Sequence, residues 1–239
     1  MESLLESPAS KTEKIELRKK LYERQGKSYY RTDKPDVLIQ EFFSQDHQND
    51  KKRPRNSEME SLRNTISSYL FEYLEEYRIA THYIRKISDT EMMVKPTDAI
   101  PVQVRVFNVD DGSIAERFQG AKGSNFEFPI IEHYYSSGGL SPWMNEYHVY
   151  ALGVATPEEF KQMNRIASKA NAVIRGLCER RQLGLAKAGF AFGRLKGQVV
   201  LIDELSPQTC TFLDHTAAPV PPDSGTAVSK LCDRLMMKV

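Results

Sequence analysis

The sequence predicts an α+β fold with antiparallel sheets, arranged as two lobes with a cleft between them. Two strand-rich stretches are separated by segments whose apolar residues recur with helical spacing. A polar loop interrupts the first strand-rich stretch, and no internal repeat of solenoid period is present. At 239 residues with 40% hydrophobic side chains, the chain can bury one large core or two smaller ones.

The first lobe is predicted to contain a hairpin, a helix and three further strands. Residues 28–32 and 37–43 are rich in β-formers and flank a turn, which predicts the hairpin. The polar stretch 44–56 has basic residues but no aromatic residue to stack on a base, so we expect a loop there. Apolar residues at steps of three and four predict a helix over 64–77, with its tyrosines packed in the core. The further strands are predicted at 82–87, 91–95 and 102–106.

The second lobe is predicted to contain a short helix, a long helix and a strand pair. Residues 113–118 suit the short helix with Ser113 as its N-cap, and 128–150 are expected to be irregular. A capping box from Thr156 to Glu159 starts the long helix, which we expect to end near Gly184. The remaining predictions are an antiparallel pair of 190–192 with 199–202, a proline-rich linker over 215–226 and a last helix over 227–238.

These elements divide the chain into four parts. The predicted boundaries are a polar N-terminal segment at 1–19, a first lobe at 20–109, a second lobe at 110–214, and the linker with its short helix at 215–239.

Composition limits the partners and the location. A formal net charge of +1 gives no overall field that would attract nucleic acid or an anionic membrane. Three widely spaced cysteines, without CxxC or HExxH spacing, favour a reducing cytoplasm over a disulfide frame or a metal cage. No run of about 18 apolar residues and no secretory signal pattern occurs, so we expect neither a membrane span nor export. We therefore expect small-molecule partners, and a homo-oligomer is left open.

A strand that ends on two acids is the centre of the predicted site. Residues 199–202 are apolar, Asp203 and Glu204 follow them, and Ser206-Pro207 cannot prolong a central strand. Two interpretations of Asp203 and Glu204 remain open. They are either solvated acids at the end of a strand or a functional pair of carboxylates. The loop Arg24-Gln25-Gly26-Lys27 offers a glycine for close backbone approach and a lysine charge, which suits a loop that covers phosphates.

Five runs of residues resemble the SAICAR synthetase family of purine biosynthesis over roughly 20–214. They are KLYE at 20–23, TDKPDVLIQEF at 32–42, SDTEMMVK at 88–95, GSIAERF at 112–118 and VVLIDELSP at 199–207. The resemblance implies a two-lobed α+β fold around a nucleotide. It also implies the use of ATP and Mg²⁺ to activate a carboxylate on an aminoimidazole ribotide and couple it to the amine of aspartate.

The resemblance also implies roles for individual residues. It places Lys27, Gln103 and Asp203 on ATP, and Asp203 with Glu204 on magnesium. The substrate contacts that it implies are Asn108, Ser113 and Arg117.

The sequence departs from the family pattern at several of these motifs. The loop expected as GKAK reads Arg24 to Lys27 and keeps only the second lysine, and an arginine expected to hold the ribotide phosphate reads Phe107. The family's Asp-Phe-Lys-x-Glu reads 187–191 here, losing an acid, a lysine and the acid that serves magnesium. The Asp and Arg expected after Ser206-Pro207 read Gln208 and Thr211.

Two functions remain open at this point. The first is a divergent ATP-dependent carboxylate–amine ligase, with Lys27 on the ATP phosphates, Asp203 on magnesium, and Ser113 with Arg117 orienting an acceptor other than the purine ribotide. The second is a catalytically inactive relative that binds a small ligand or a partner protein. A kinase-like transfer to a small molecule is a more distant third.

Overall fold

The computed structural model describes residues 18–44, 58–118, 123–137 and 141–237. The strands are β1 Lys19–Arg24, β2 Lys27–Arg31, β3 Leu38–Phe42, β4 Tyr83–Lys86, β5 Glu91–Val94, β6 Asp98–Val109, β7 Asn125–Tyr135, β8 Trp143–Met144, β9 Gly184–Leu195, β10 Gln198–Ile202 and β11 Cys210–Leu213. The helices are α1 Glu58–Glu76, α2 Ser113–Phe118, α3 Glu146–Ala151, α4 Pro157–Arg180 and α5 Gly225–Met236.

The strands form two antiparallel sheets, which confirms the predicted fold class. The first sheet has the order β1-β2-β3-β5-β4, and the second has the order β10-β9-β6-β7-β8 with β11 paired to β9. Strand β6 lies within the predicted first lobe at 20–109 but pairs with β7 and β9 of the second sheet. The sheets therefore change between β5 and β6, earlier than the predicted lobe boundary.

The first sheet contains the predicted hairpin and one strand that was not predicted. β2 and β3 pair antiparallel as expected, with Lys27 opposite Phe42. β1 was missed because its sequence, KKLYER, is charged and mostly exposed, as befits an edge strand. Gln25 and Gly26 join β1 to β2 with φ of 47° and 71°, the left-handed values that a two-residue hairpin turn requires.

Helix α1 covers the first sheet with the predicted stripe, but its bounds differ. It begins at Glu58, six residues before the predicted start at 64, and it buries Ile66, Leu70 and Leu74. Tyr77 is 43% exposed just beyond the helix, so the expectation that every tyrosine of the stripe packs in the core is wrong for it. Its hydroxyl lies 3.0 Å from that of Tyr73 instead.

Helix α4 packs its buried stripe on the second sheet. The predicted capping box is present, because Thr156 accepts the N–H of Glu159 while the Glu159 carboxylate accepts the N–H of Thr156. The helix ends at Arg180 and not near Gly184, since Gln182 has φ of 57° and the Leu183 N–H bonds back to Cys178. Strand β9 then begins at Gly184, and it is longer than the predicted strand at 190–192.

Two further predictions need correction. The stretch 128–150, expected to be irregular, contains most of strand β7 together with β8 and α3. The last helix begins at Gly225 with Ser224 as its N-cap, two residues before the predicted start. The polar predictions for 1–17 and 45–57 lie outside the described residues. In the described ranges, no helix is long and apolar enough to cross a membrane.

The two sheets meet at one junction between the end of α1 and β10. Thr81 forms a parallel bridge to Leu201. The Leu201 N–H donates to Ala80 at 3.0 Å, and the His82 N–H donates to Leu201 at 2.9 Å. The strand that ends on Asp203 is therefore held against both sheets, and a pocket opens beside it.

Candidate functional site

A pocket lies where the two sheets face each other. Its volume is about 590 Å³, including space open to solvent. Its wall combines apolar side chains with a few polar ones, as the walls of small-molecule sites do. The lining residues are Tyr22, Arg24, Tyr29, Leu38, His82, Val94, Lys95, Thr97, Ala99, Ile100, Val102, Ser136, Ala191, Ile202 and Asp203.

Lys27 and Asp203 meet at this pocket, as the sequence predicted for two residues of one site. The Lys27 Nζ lies 2.7 Å from Asp203 Oδ1, and the lysine side chain is only 1% exposed. Asp203 is 15% exposed and has φ of 78°, a left-handed value at the end of β10. A non-glycine residue held in this conformation is often found at a functional site.

Glu204 lies on the other side of the same lysine and points away from the pocket. Both of its oxygens accept from Arg63 Nη2, at 3.1 and 2.9 Å, and Lys27 Nζ is 3.6 Å from Oε1. Lys27, Asp203, Glu204 and Arg63 thus form a buried ion-pair cluster. The expectation that Glu204 binds a metal does not fit this geometry, because both carboxylate oxygens are used by a buried guanidinium.

The cluster controls the charge of Asp203. Burial alone would raise the pKa of its carboxyl, but the charge and hydrogen bond of Lys27, helped by Arg24, outweigh burial and hold the pKa below its ordinary value. Asp203 is therefore an anion at neutral pH.

His82 is a neutral residue that accepts a hydrogen bond from the backbone of Asp203. Its Nε2 lies 3.2 Å from the Asp203 N–H, which it accepts. Burial lowers the pKa of His82 to about 3, and the nearby Lys95 and Lys27 charges act in the same direction. Within the described part of the chain, the His82 Nδ1 is buried and has no hydrogen-bond partner. A pocket residue with an unpartnered polar atom is consistent with a ligand site.

Magnesium fits this site through one protein carboxylate. Mg²⁺ is commonly held by one or two carboxylates together with waters and substrate phosphates. Asp203 fits that role, whereas position 191, where the family pattern has an acid, is an alanine on the pocket wall. In the ranges that the structure describes, no group of three or more histidine, cysteine, aspartate or glutamate side chains could hold a metal by itself.

Gln103 lies next to the pocket without lining it. It stands opposite Ala191 on β9, and its Oε1 accepts from Arg105 Nε at 2.8 Å. Arg105 alternates with the buried valines of β6, and its guanidinium carbon lies 3.8 Å from the centre of the Tyr134 ring. An ATP contact by Gln103 thus stays a prediction.

Asn108 faces the core and not the site. It is 4% exposed. Its Nδ2 donates to Asn171 at 2.9 Å and to the Leu185 carbonyl at 3.0 Å, and its Oδ1 accepts from Asn171 at 2.8 Å. Both amide hydrogens are used, one in joining β6 to α4 and the other in joining β6 to β9, so the expected substrate contact does not fit this geometry.

Ser113 and Arg117 lie together at α2, close to Lys187. Ser113 is the first residue of the helix and not its cap, and its N–H and hydroxyl both donate to Asp111. The other Asp111 oxygen accepts from Lys187 at 2.7 Å. Arg117 pairs with Glu132 at 2.8 Å and is 40% exposed. This end of the second sheet therefore has one exposed cation, Arg117, and one half-buried cation, Lys187, each paired with a carboxylate.

The positions that depart from the family pattern form a row across the second sheet. Lys187 on β9 lies opposite Phe107 on β6 and opposite Thr211 on β11. The next position along β9, Gly189, has no room for a side chain, because a Cβ there would lie 2.9 Å from the Thr209 carbonyl oxygen. The departures at 107, 187 and 211 are thus neighbours in the sheet.

Sequence reasoning missed several residues of the pocket. Arg63 belongs to the ion-pair cluster beside the pocket, and it lies in α1 before the predicted start of that helix. His82 lines the pocket but was treated only as a strand residue. Tyr22 and Tyr29 stack with ring centres 4.6 Å apart and gave no signal beyond β-propensity. Arg24 was named only as part of the loop 24–27, in which the charge was assigned to Lys27.

Comparisons with known proteins agree on one family. A sequence model of SAICAR synthetase matches residues 20–230. The chain is 38% identical to the phosphoribosylaminoimidazole-succinocarboxamide synthase of Persephonella marina over 202 residues, which is 84% of this chain and 85% of that one. It is also 38% identical to the same-named protein of Chlorobium chlorochromatii, over 82% of this chain and 85% of that one.

Solved structures give the same result. The chain matches a SAICAR synthetase in complex with ADP with a TM-score of 0.80 and 30% identity, over 90% of this chain and 97% of that one. It matches the phosphoribosylaminoimidazole-succinocarboxamide synthase of Ehrlichia chaffeensis with a TM-score of 0.80 and 28% identity, over 91% of this chain and 98% of that one.

Proposed function

Because this chain belongs to the SAICAR synthetase family, we propose that it is an ATP-dependent, amide-forming ligase whose acceptor is not the purine ribotide. The nucleotide would occupy the pocket between the sheets. The acceptor would lie against the neighbouring face of the second sheet. A cytoplasmic location suits the three buried thiols.

The observation that carries the nucleotide part is the ion pair at the pocket wall. Asp203 is ionised, partly exposed and positioned by Lys27 at 2.7 Å. With its remaining oxygen it can hold a magnesium ion that comes with the nucleotide phosphates, and magnesium would supply charge neutralisation during phosphoryl transfer. Tyr22 and Tyr29 offer stacked apolar surface, and a related SAICAR synthetase has been solved in complex with ADP.

The acceptor part rests on the row formed by Phe107, Lys187 and Thr211. The family pattern has Arg, Asp and Arg at these positions, which sum to one positive charge. Here a single lysine keeps that charge. Two guanidinium forks suit a dianionic phosphate, while one ammonium that is already paired to Asp111 suits a smaller anion. Losing two charge-assisted contacts costs about 3 to 6 kcal/mol of binding if the contributions add.

A coupled ADP-release assay tests this function. The protein with Mg²⁺ and ATP is offered the carboxylated aminoimidazole ribotide with aspartate, and in parallel a panel of unphosphorylated carboxylic acids with amines. We expect ADP release with an acid from the panel and none above background with the ribotide. Micromolar ribotide binding together with succinocarboxamide formation would show that the acceptor is the one its relatives are named for.

A second candidate function is ligand binding without catalysis. The specific observation is that both acids after β10 are already neutralised by Lys27 and Arg63, and that Ala191 supplies no second metal ligand. The same assay separates the two candidates. Nucleotide binding without ADP release for any acid and amine would favour the binding function.

A further inference from the structure

Arg24 faces the pocket from the edge of the first sheet. It lies directly opposite Lys27 in the β1–β2 pair, so the two side chains share one face of the hairpin. The guanidinium reaches across to the second sheet, where Nη2 lies 3.2 Å from the Ser136 carbonyl oxygen and 3.1 Å from its Oγ. Arg24 therefore spans the pocket from one sheet to the other.

Lys27 and Arg24, the two cations that lie opposite each other in the β1–β2 pair, differ in how far their charges are compensated. Lys27 is 1% exposed and is shared by the carboxylates of Asp203 and Glu204, so its charge is already compensated. Arg24 is half-buried, and within the part of the chain that the structure describes its guanidinium donates only to the neutral oxygens of Ser136, while the Asp203 anion acts on its charge without a direct ion pair. Removing Lys27 from its carboxylates would leave buried charges unpaired, whereas Arg24 can exchange its neutral partners at low cost.

The other pocket groups do not supply a free positive charge at this end. Burial raises the pKa values of Tyr22 and Tyr29, which keeps both neutral. Lys95, the other lining cation, bonds to the Thr81 carbonyl and lies 4.0 Å from Glu75. An anionic ligand in this pocket would find its strongest available donor in Arg24, whose planar fork matches phosphate oxygens.

We infer that Arg24 is the polyphosphate-binding residue of the pocket and that it exchanges its contact with Ser136 for the phosphate chain of a nucleotide. Lys27 then acts as a positioning residue that holds Asp203. The inference rests on the proposed nucleotide function for the location of the ligand. It assigns the phosphate contact to a residue that sequence reasoning did not choose.

Calorimetric titration with four probes tests the inference. ATP, ADP, inorganic tripolyphosphate and adenosine are titrated into the parent protein, Arg24→Gln, Ser136→Ala and Lys20→Gln. Lys20→Gln makes the same charge change on the same strand, at a residue that is exposed and outside the pocket. We expect Arg24→Gln to weaken ATP, ADP and tripolyphosphate roughly 10- to 100-fold, the range for one charge-assisted contact.

The controls separate phosphate binding from a purely structural link between the sheets. Adenosine affinity should change by less than about twofold in Arg24→Gln, and Lys20→Gln should match the parent with every probe. Ser136→Ala removes the Oγ contact and leaves only the backbone carbonyl contact of Arg24. It should bind tripolyphosphate as tightly as the parent or more tightly, because one protein contact fewer has to be given up.

Other outcomes contradict the inference or the proposed function separately. Unchanged tripolyphosphate affinity in Arg24→Gln overturns the inference, and so does an equal loss for adenosine and ATP. A parent protein that binds neither ATP nor tripolyphosphate overturns both. Arg24-dependent tripolyphosphate binding without ADP release in any ligase assay supports the inference while refuting the proposed ligase function.

Discussion

Lys187 lies directly opposite Phe107, with its Nζ 5.6 Å from the centre of the phenyl ring and 2.7 Å from the carboxylate of Asp111. Thr211 stands on the other side of the same lysine. A positive charge is thus kept at the middle of the row, while the flanking positions have become neutral. In the proposed function, this row would determine which anion the acceptor can carry.

Restoring the family row should restore affinity for the ribotide. The triple variant Phe107→Arg, Lys187→Asp and Thr211→Arg supplies two guanidinium forks on either side of a carboxylate. We expect it to bind the carboxylated aminoimidazole ribotide at least about tenfold more tightly than the parent in calorimetry. Lys187→Asp alone is the control and should bind it more weakly. A folded triple variant with no gain would contradict the role of the row.

Gly189 should resist substitution, because the sheet has closed over it. A Cβ would lie 2.9 Å from the Thr209 carbonyl oxygen, and the Gly189 N–H already donates to that oxygen. We expect Gly189→Ala to lower the free energy of unfolding by about 1 to 3 kcal/mol in chemical denaturation. Gly225→Ala is the matched control, since its Cβ would meet nothing within 4 Å. Equal stability of the two variants would show that position 189 can still accept a side chain.

The ease of predicting each feature depended on how local its signal was. Helix α4 was predicted from Thr156 onward because its capping box and its apolar stripe lie in one continuous stretch of sequence. The turn at Gln182 ends that helix through backbone conformation, which residue types signal only weakly. Lys27 and Asp203 were predicted to belong to one site from motifs, and they meet there.

Partners that are distant in sequence were beyond prediction. The Arg63–Glu204 pair joins residues 141 positions apart and depends on the packing of α1 against the segment after β10, where Ser67 also bonds to the backbone of Leu205. Asn108 was assigned to the site because it lies beside a matching motif. In the structure β6 has a bulge at this residue, and the Asn108 side chain faces α4. Side-chain direction at a bulge cannot be read from strand alternation.

The Arg63–Glu204 pair should show strong coupling in a double-mutant cycle. Glu204 is 3% exposed and Arg63 is 9% exposed, so removing either partner leaves a buried charge poorly compensated. We expect Arg63→Met or Glu204→Leu to cost about 3 to 5 kcal/mol in urea denaturation, and the double variant to cost much less than the sum. Additive losses would indicate that the pair does not act as a unit.

His82 should make stability fall with acid. Its pKa is lowered to about 3 by burial, while in the unfolded chain it titrates near its ordinary value of about 6.5. Between these values the unfolded state binds a proton that the folded state does not, so stability is lost as pH falls through this window. The slope approaches about 1.4 kcal/mol per pH unit.

Substitution isolates this contribution of His82. His82→Gln should reduce the slope of unfolding free energy against pH between about pH 4 and 6, and the reduction should correspond to nearly one bound proton. His215→Gln, at an exposed position, should leave the dependence as in the parent. An unchanged slope in His82→Gln would mean that the imidazole is not held neutral in the folded protein.

The central claim, that the pocket beside Asp203 holds a nucleotide with magnesium, is tested most directly by calorimetric titration of ATP with and without Mg²⁺ into the parent protein and Asp203→Asn. The amide removes the charge that holds a hard cation and keeps the size of the side chain, and Lys27 retains Glu204 as a charged partner. We expect magnesium to tighten ATP binding to the parent by about tenfold or more, and to have no such effect on Asp203→Asn. Equal ATP affinity of the parent with and without magnesium would contradict the account.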